Sequence, residues 1–342
     1  MKKFLVILSA IAVIAGSSLT SAARAADYRW QFFGMLPTTH EFAKKIMAGL
    51  DRVKERSGGK IEIQYSYIAE TPYKPAESLT LIRDGLVQIT EWLPANGVGT
   101  YPILAAPELP FVAPNKSTPA ELQDAVGRAW DTPAMTEALG TIMSEHGARV
   151  LGRYFYQPMN FWSAKPLASF DDFKGQRLRV ITPEQSALLE QLGGTPMSIP
   201  NTEVYTSLQT NVIDGVITGS GNVKGSKWNE LMKSGYIVNI SLIGARMVIS
   251  EAALAELPAD LQAIVVEELT AVGQEILAWT PESDKAALDD LAASGVTLTL
   301  ASDADYAKLR EIAMTDVWPA WKARVGDQAD AVMQQIEEAL SK

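Results

Sequence analysis

Strand-like and helix-like segments alternate along most of this 342-residue chain, and that alternation limits its fold more than any other feature. "YRWQFFGM" (28–35) reads as a strand and "TTHEFAKKIMAGLDRVKERSGG" (38–59) as a helix. Within the helix Phe42, Ile46, Leu50 and Val53 recur at helical spacing, and the Gly58-Gly59 pair ends it. An alternating strand, "KIEIQYSY" (60–67), follows, then a helix, "KPAESLTLIRDGL" (74–86), and a strand, "VQITEWL" (87–93). Strands separated by helices predict a mainly parallel sheet covered on both faces.

The same βαβ grammar restarts later. "VLGRYFYQPMNFWSA" (150–164) reads as extended chain crossing into a second unit, followed by "RLRVI" (177–181), a helix (183–193), a short strand (195–199), a helix (202–211) and "VIDGVITG" (212–219). "YIVNISLIGARMVIS" (236–250) is long, apolar and β-branched enough to run between two sheets. From Pro258 the chain is helical, with one helix expected to give way at Pro281 and a last helical region carrying Trp318 and Trp321 on a shared, core-facing side. The expected fold is α/β: two lobes with a ligand cleft between them and long C-terminal helices. Lobe one is expected to take residues 26–155 and about 245–284, lobe two 156–244 and about 285–342. Lobes joined by several extended crossovers make a hinged cleft, a common place for small ligands.

The first 25 residues stand apart. Lys2 and Lys3, an apolar run from Phe4 to about Ala15 and small residues ending at Ala25 have the three-part layout of a cleaved secretory signal, so export is expected. The formal charge is −10, and losing Lys2, Lys3 and Arg24 would leave the rest more acidic still. Such a chain repels phosphate backbones, so nucleic acid is not an expected partner. An arginine in a closed cleft can still attract an anion. The chain has no cysteine, which removes disulfides, zinc thiolates and cysteine nucleophiles, and only two histidines, His40 and His146. No cofactor and no metal site are expected.

One short strand poses the functional question. In "FKGQRLRV" (173–180) Arg177 and Arg179 lie two apart and share a strand face. From spacing alone, Arg179 either binds a ligand or ties down an internal acid.

The order of the motifs decides between them by resemblance. "ERSGGKIEIQ", "LIRDGLVQIT" and "PELPFV" (107–112), then "DDFKGQRLRV" and "LGGTPMSIPNTEVYTSLQTNVIDG", resemble the solute-binding proteins of TRAP (tripartite ATP-independent periplasmic) transporters, the DctP-type subunit. The resemblance covers essentially residues 27–340. It implies a periplasmic-binding-protein-like fold, a place in the periplasm, and a two-pronged salt bridge from Arg179 to a ligand carboxylate, a geometry that suits a planar guanidinium. It also implies partners: a small organic carboxylate, and the small and large membrane subunits of the transporter.

Two departures narrow the ligand. Where many members carry a second arginine, "QPMNFWSAK" puts Met159 or Asn160, and after the Asp-Gly turn "DGVITGSGN" offers Thr218, Ser220 and Asn222. Both favour a monocarboxylate over a dicarboxylate. Trp92, Tyr73 and Trp162 are candidates for an apolar wall, which makes an aromatic or bulky acid plausible. Glu70 either accepts from ligand hydroxyl or amine groups or is a solvated loop carboxylate, and His40 is a polar candidate in the first turn of a helix.

Enzyme chemistry has little support. There is no G-x-S-x-G, no convincing S-x-x-K, and "GSGN" (219–222) lacks dinucleotide spacing. The readings from other classes are a ligand-binding partner of a periplasmic sensor kinase and, less favoured, a hydrolase. The C-terminal helices either pack on their own lobes or form a dimer face, so a monomer or weak dimer is expected.

Overall fold

The computed structural model describes residues 26–115 and 117–341. The expected signal segment, 1–25, lies outside the described residues. In chain order the principal elements are β1 (Tyr28–Gly34), α1 (Glu41–Arg56), β2 (Ile61–Tyr67), α2 (Ser78–Arg83), β3 (Ile89–Trp92), α3 (Pro119–Trp130), α4 (Pro133–Glu145), β4 (Ala148–Phe155) and β5 (Met159–Ser163). The chain continues through β6 (Arg177–Val180), α5 (Pro183–Gln191), β7 (Thr195–Ser198), α6 (Val204–Gln209), β8 (Gly215–Gly219), α7 (Ser220–Gly225), β9 (Ser234–Ile237) and β10 (Gly244–Ser250). It ends with α8 (Glu251–Ala255), α9 (Ala259–Ala293), β11 (Thr297–Leu300), α10 (Asp303–Ile312), α11 (Trp318–Val325) and α12 (Ala329–Leu340).

These strands form two sheets, ordered β2-β1-β3-β10-β4 and β11-β9-β5-β8-β6-β7. The fold is the expected two-lobed α/β type, but neither sheet is wholly parallel. β10 runs antiparallel to β3 and β4, and β5 antiparallel to β8 and β9. Chain that crosses directly from one sheet to the other arrives without a crossover helix to turn it round, so it pairs antiparallel. The apolar run at 236–250 divides as its length predicts, into β9 in one sheet and β10 in the other.

Phe42, Ile46, Leu50 and Val53 form the buried stripe of α1, in one core cluster with Val265, Leu269, Val272 and Ile276 of α9. Burying each such side chain contributes about 1.5–3 kcal/mol. Arg52 and Arg56 close the seam on Glu268 at 2.6 and 2.8 Å. Gly58 and Gly59 take φ of 63° and 79°, the left-handed turn that ends α1.

The expected break at Pro281 does not occur: α9 runs unbroken through it for 35 residues. Proline removes the N–H that would bond the carbonyl four residues back, here that of Leu277. Gln123 of α3 supplies the missing donor, its Nε2 lying 3.0 Å from that oxygen. At the C-terminus, Trp318 and Trp321 are both buried, and their indoles donate to the carbonyls of Pro110 and Pro102 at 3.1 and 2.9 Å. α12 docks on α3, where Arg128 donates to Ala339 O at 3.0 Å.

Candidate ligand-binding site

β6 lies between β8 and β7, with Arg179 opposite Val216 and Met197. The strand period puts Arg177 and Arg179 on one face, yet the two guanidiniums have different fates. Arg177 is spent on Asp214, which takes its Nε and Nη2 at 3.1 Å and its backbone N–H at 2.9 Å. Lys165 adds a fourth contact to that carboxylate at 2.9 Å. Burial pushes the Asp214 carboxyl up, but these cations hold it well below the usual carboxylate range.

Arg179 is 9% exposed and donates through Nε to Ile199 O at 3.0 Å. Among the described residues no carboxylate reaches it, and its two terminal amino groups have no hydrogen-bond partner. Burial lowers its pKa to about 10, so it stays charged at neutral pH. A buried cation without a counter-charge is costly, and an anion that supplies one is bound correspondingly well.

Polar groups from both lobes gather around it. Tyr67, at the end of β2, is 8% exposed, and its phenol lies beside the Asn201 side chain and within electrostatic reach of Arg179. Asn201 Oδ1 accepts from Asn222 Nδ2 at 3.2 Å, and the same Nδ2 donates to Thr218 Oγ1 at 3.1 Å. Ser226 Oγ then donates to Asn222 Oδ1 at 3.0 Å. Thr218 and Asn222 are thus joined to Asn201, beside the phenol that lies near Arg179. Glu70 is exposed beyond Tyr67. Tyr73 is half-buried, its ring 5.9 Å from Phe33 of β1.

The other sequence candidates have structural partners. Trp162 is wholly buried among Val204, Val216 and Val223, and its indole donates to Thr218 O at 2.9 Å. Asn160 is also wholly buried: its Oδ1 accepts from the backbone N–H groups of Val238 and Asn239, both at 2.7 Å. That bond pins a corner where Asn239 takes φ 55°. Met159, 3% exposed, pairs its backbone N–H with Ser241 O at 2.9 Å. Trp92, 2% exposed, packs in the lobe-one core with Gly97 3.3 Å from its ring when given a Cβ.

His40 reaches between lobes. It caps α1, its Nδ1 accepting from Phe42 N–H at 3.4 Å, while its ring abuts α7 so closely that a Cβ on Gly225 would lie 2.6 Å from Cδ2. Burial pushes the imidazole down to about 4. Beside it, Ser220 of α7 donates to the buried Asp284 of α9, and Gln157 Nε2 donates to Ser283 at 3.1 Å.

Residues 36–323 match the family described as bacterial extracellular solute-binding protein, family 7, the DctP family. The chain belongs to it. The match covers most of the chain and identifies a DctP-type TRAP solute-binding protein, a family of extracytoplasmic receptors rather than enzymes. A solute-binding protein of Sulfitobacter sp. is 24% identical over 324 residues, 92% of this chain and 93% of its own. DctP7 of Bordetella pertussis, an extracytoplasmic solute receptor binding pyroglutamic acid, superposes with a TM-score of 0.80 at 21% identity, covering 92% of this chain and 99% of its own. A marine metagenome TRAP solute-binding protein specific for aromatic acid ligands gives 0.80 at 19% identity, over 92% and 98% of the two chains.

Tyr67 and Asn201 were not evident from the sequence of this DctP-type protein. The signal for Tyr67 was its place at the C-terminal end of a strand, where open α/β sheets bind ligands. Asn201 had no such signal, because its position depends on how the loop after β7 folds back on α7.

Proposed function

We propose that the protein captures a small organic monocarboxylate in the interlobe cleft and delivers it to the membrane subunits of a TRAP transporter, after export to the periplasm through cleavage of residues 1–25. The observation that carries this reading is Arg179, a buried cation with its amino groups unpaired and facing polar groups of both lobes. The carboxylate takes the two free amino groups; Tyr67, Asn201, Thr218 and Asn222 surround its polar substituents, with Glu70 at the rim and Tyr73 supplying apolar surface. Trp162, Asn160, Met159 and Trp92 act as supports behind this wall.

Arg177 is neutralised by Asp214, so the site offers one unpaired guanidinium rather than two. That favours one carboxylate per ligand. Similar folds that bind pyroglutamic acid or aromatic acids support the same class. Closure excludes water and strengthens each charged contact.

The test is a thermal-shift screen of the protein against aromatic, hydroxy, keto, sugar and dicarboxylic acids. A monocarboxylate at a thousandfold excess over its Kd stabilises by about 4 kcal/mol. A panel in which only dicarboxylates or neutral solutes stabilise the protein would overturn the single-anchor reading.

A further inference from the structure

We infer that lobe one carries a second anion-binding pocket, separate from the interlobe cleft and built around Arg246. A cavity of about 500 Å³ opens between α3, α4 and β4, within the range of small-molecule sites. Its floor is Arg246 of β10, 2% exposed, whose side chain stacks 4.5 Å from the Trp130 ring. That guanidinium spends one donor, Nη1, on Ala245 O at 3.1 Å. Among the described residues no carboxylate lies within ion-pair distance of it.

The nearest buried acid is not a full counter-charge. Glu108 accepts from Trp130 Nε1 at 3.1 Å and Gly244 N–H at 3.0 Å, and burial raises its pKa to about 8 even beside Arg246. Burial lowers Arg246 to about 10, which leaves it protonated at neutral pH. The cavity's other arginines are committed: Arg153 is bidentate on Asp131, and Arg149 meets Glu251 at 3.4 Å. Its lining therefore sums to one net positive charge in a protein of net charge −10.

Leu139, Met143 and Val150 add an apolar wall. A buried cation facing a roomy cavity with one apolar side matches a small anion with an apolar body, which an organic carboxylate supplies. Inorganic phosphate shares the anionic chemistry but not the body. Thr136 is exposed on α4 at the cavity wall, so a large side chain there fills the pocket without disturbing the core.

The experiment is a titration of 4-fluorobenzoate followed by ¹⁹F NMR, with inorganic phosphate followed by ³¹P NMR, on five full-length proteins: wild type, Arg179→Ala, Thr136→Trp, the Arg179→Ala/Thr136→Trp double variant, and Arg246→Gln in the Arg179→Ala background. In the Arg179→Ala protein, saturable binding of 4-fluorobenzoate at millimolar concentrations is expected to persist and to disappear on adding Thr136→Trp. Arg246→Gln should abolish the same signal, and Thr136→Trp covers the case in which that buried variant fails to fold. Saturable binding of phosphate alone would replace the organic acid by a simple anion. No saturable signal from either probe in the Arg179→Ala protein, or one indifferent to Thr136→Trp, overturns the pocket. Loss of all binding with Thr136→Trp but none with Arg179→Ala would instead leave the pocket standing and remove the cleft reading.

Discussion

Arg179 gives its Nε to the carbonyl of Ile199 at 3.0 Å, which fixes the plane of the guanidinium and leaves its two terminal amino groups for something else. Replacing Arg179 with Ala removes a buried, uncompensated charge, so the unliganded protein should melt no lower than wild type. Ligand-induced stabilisation should vanish. Arg179→Lys keeps the charge but loses the paired donors, and should weaken binding by roughly tenfold or more. Calorimetric titration and melting of both variants check this; a sharp fall in the unliganded melt of Arg179→Ala would make its role structural.

Trp92 gives the opposite pattern. It is 2% exposed within the lobe-one core, so Trp92→Ala should cost about 3–5 kcal/mol of stability. Denaturant unfolding measures that loss, and the acid preference of whatever remains folded should be little changed.

The bond from Gln123 to Leu277 exists because Pro281 withholds its own N–H. Gln123→Ala should therefore cost about 1–2 kcal/mol by stranding a carbonyl. Restoring the N–H with Pro281→Ala should reduce that cost, so the two changes combined fall short of additivity. A double-mutant cycle in urea reads the coupling directly, and strict additivity would mean that the two groups do not depend on each other.

Two buried groups give stability opposite pH slopes. Burial lowers His40 from 6.5 to about 4, so its contribution is complete above pH 6.5 and is lost as pH falls toward 4. Burial raises Asp284 from 3.8 to about 6, so its contribution is complete below pH 3.8 and is lost as pH rises through 6. Asp284→Asn keeps an acceptor for Ser220 and should stabilise the protein at pH 7.5 by at most about 3 kcal/mol, with the gain shrinking toward pH 4. His40→Asn keeps the helix cap and should flatten the loss of stability between pH 6.5 and 4. Melting curves across that range separate the two.

How far the sequence could be read follows from what each feature depends on. The α1 stripe, the Gly58-Gly59 stop, the division of 236–250 and the buried tryptophans of α11 are local patterns, and each was legible. Pro281 misled because its consequence was cancelled by Gln123, more than 150 residues earlier in the chain. Arg177 and Arg179 look alike in sequence. Only the fold shows that Asp214 reaches one of them and that no acid among the described residues reaches the other.

The place of β10 in the first sheet governs how the molecule comes into being. It lies between β3 and β4, so β4 joins that sheet only through a strand made from residues 244–250. An N-terminal fragment that stops at the end of β4 contains four of the five strands and still lacks the one that unites them. Synthesis must therefore pass through β5 to β9 of the second sheet before the first can close. The first sheet closes on β10 before the second receives its last strand, β11, and no single cut of the chain yields two pieces that each hold one complete sheet.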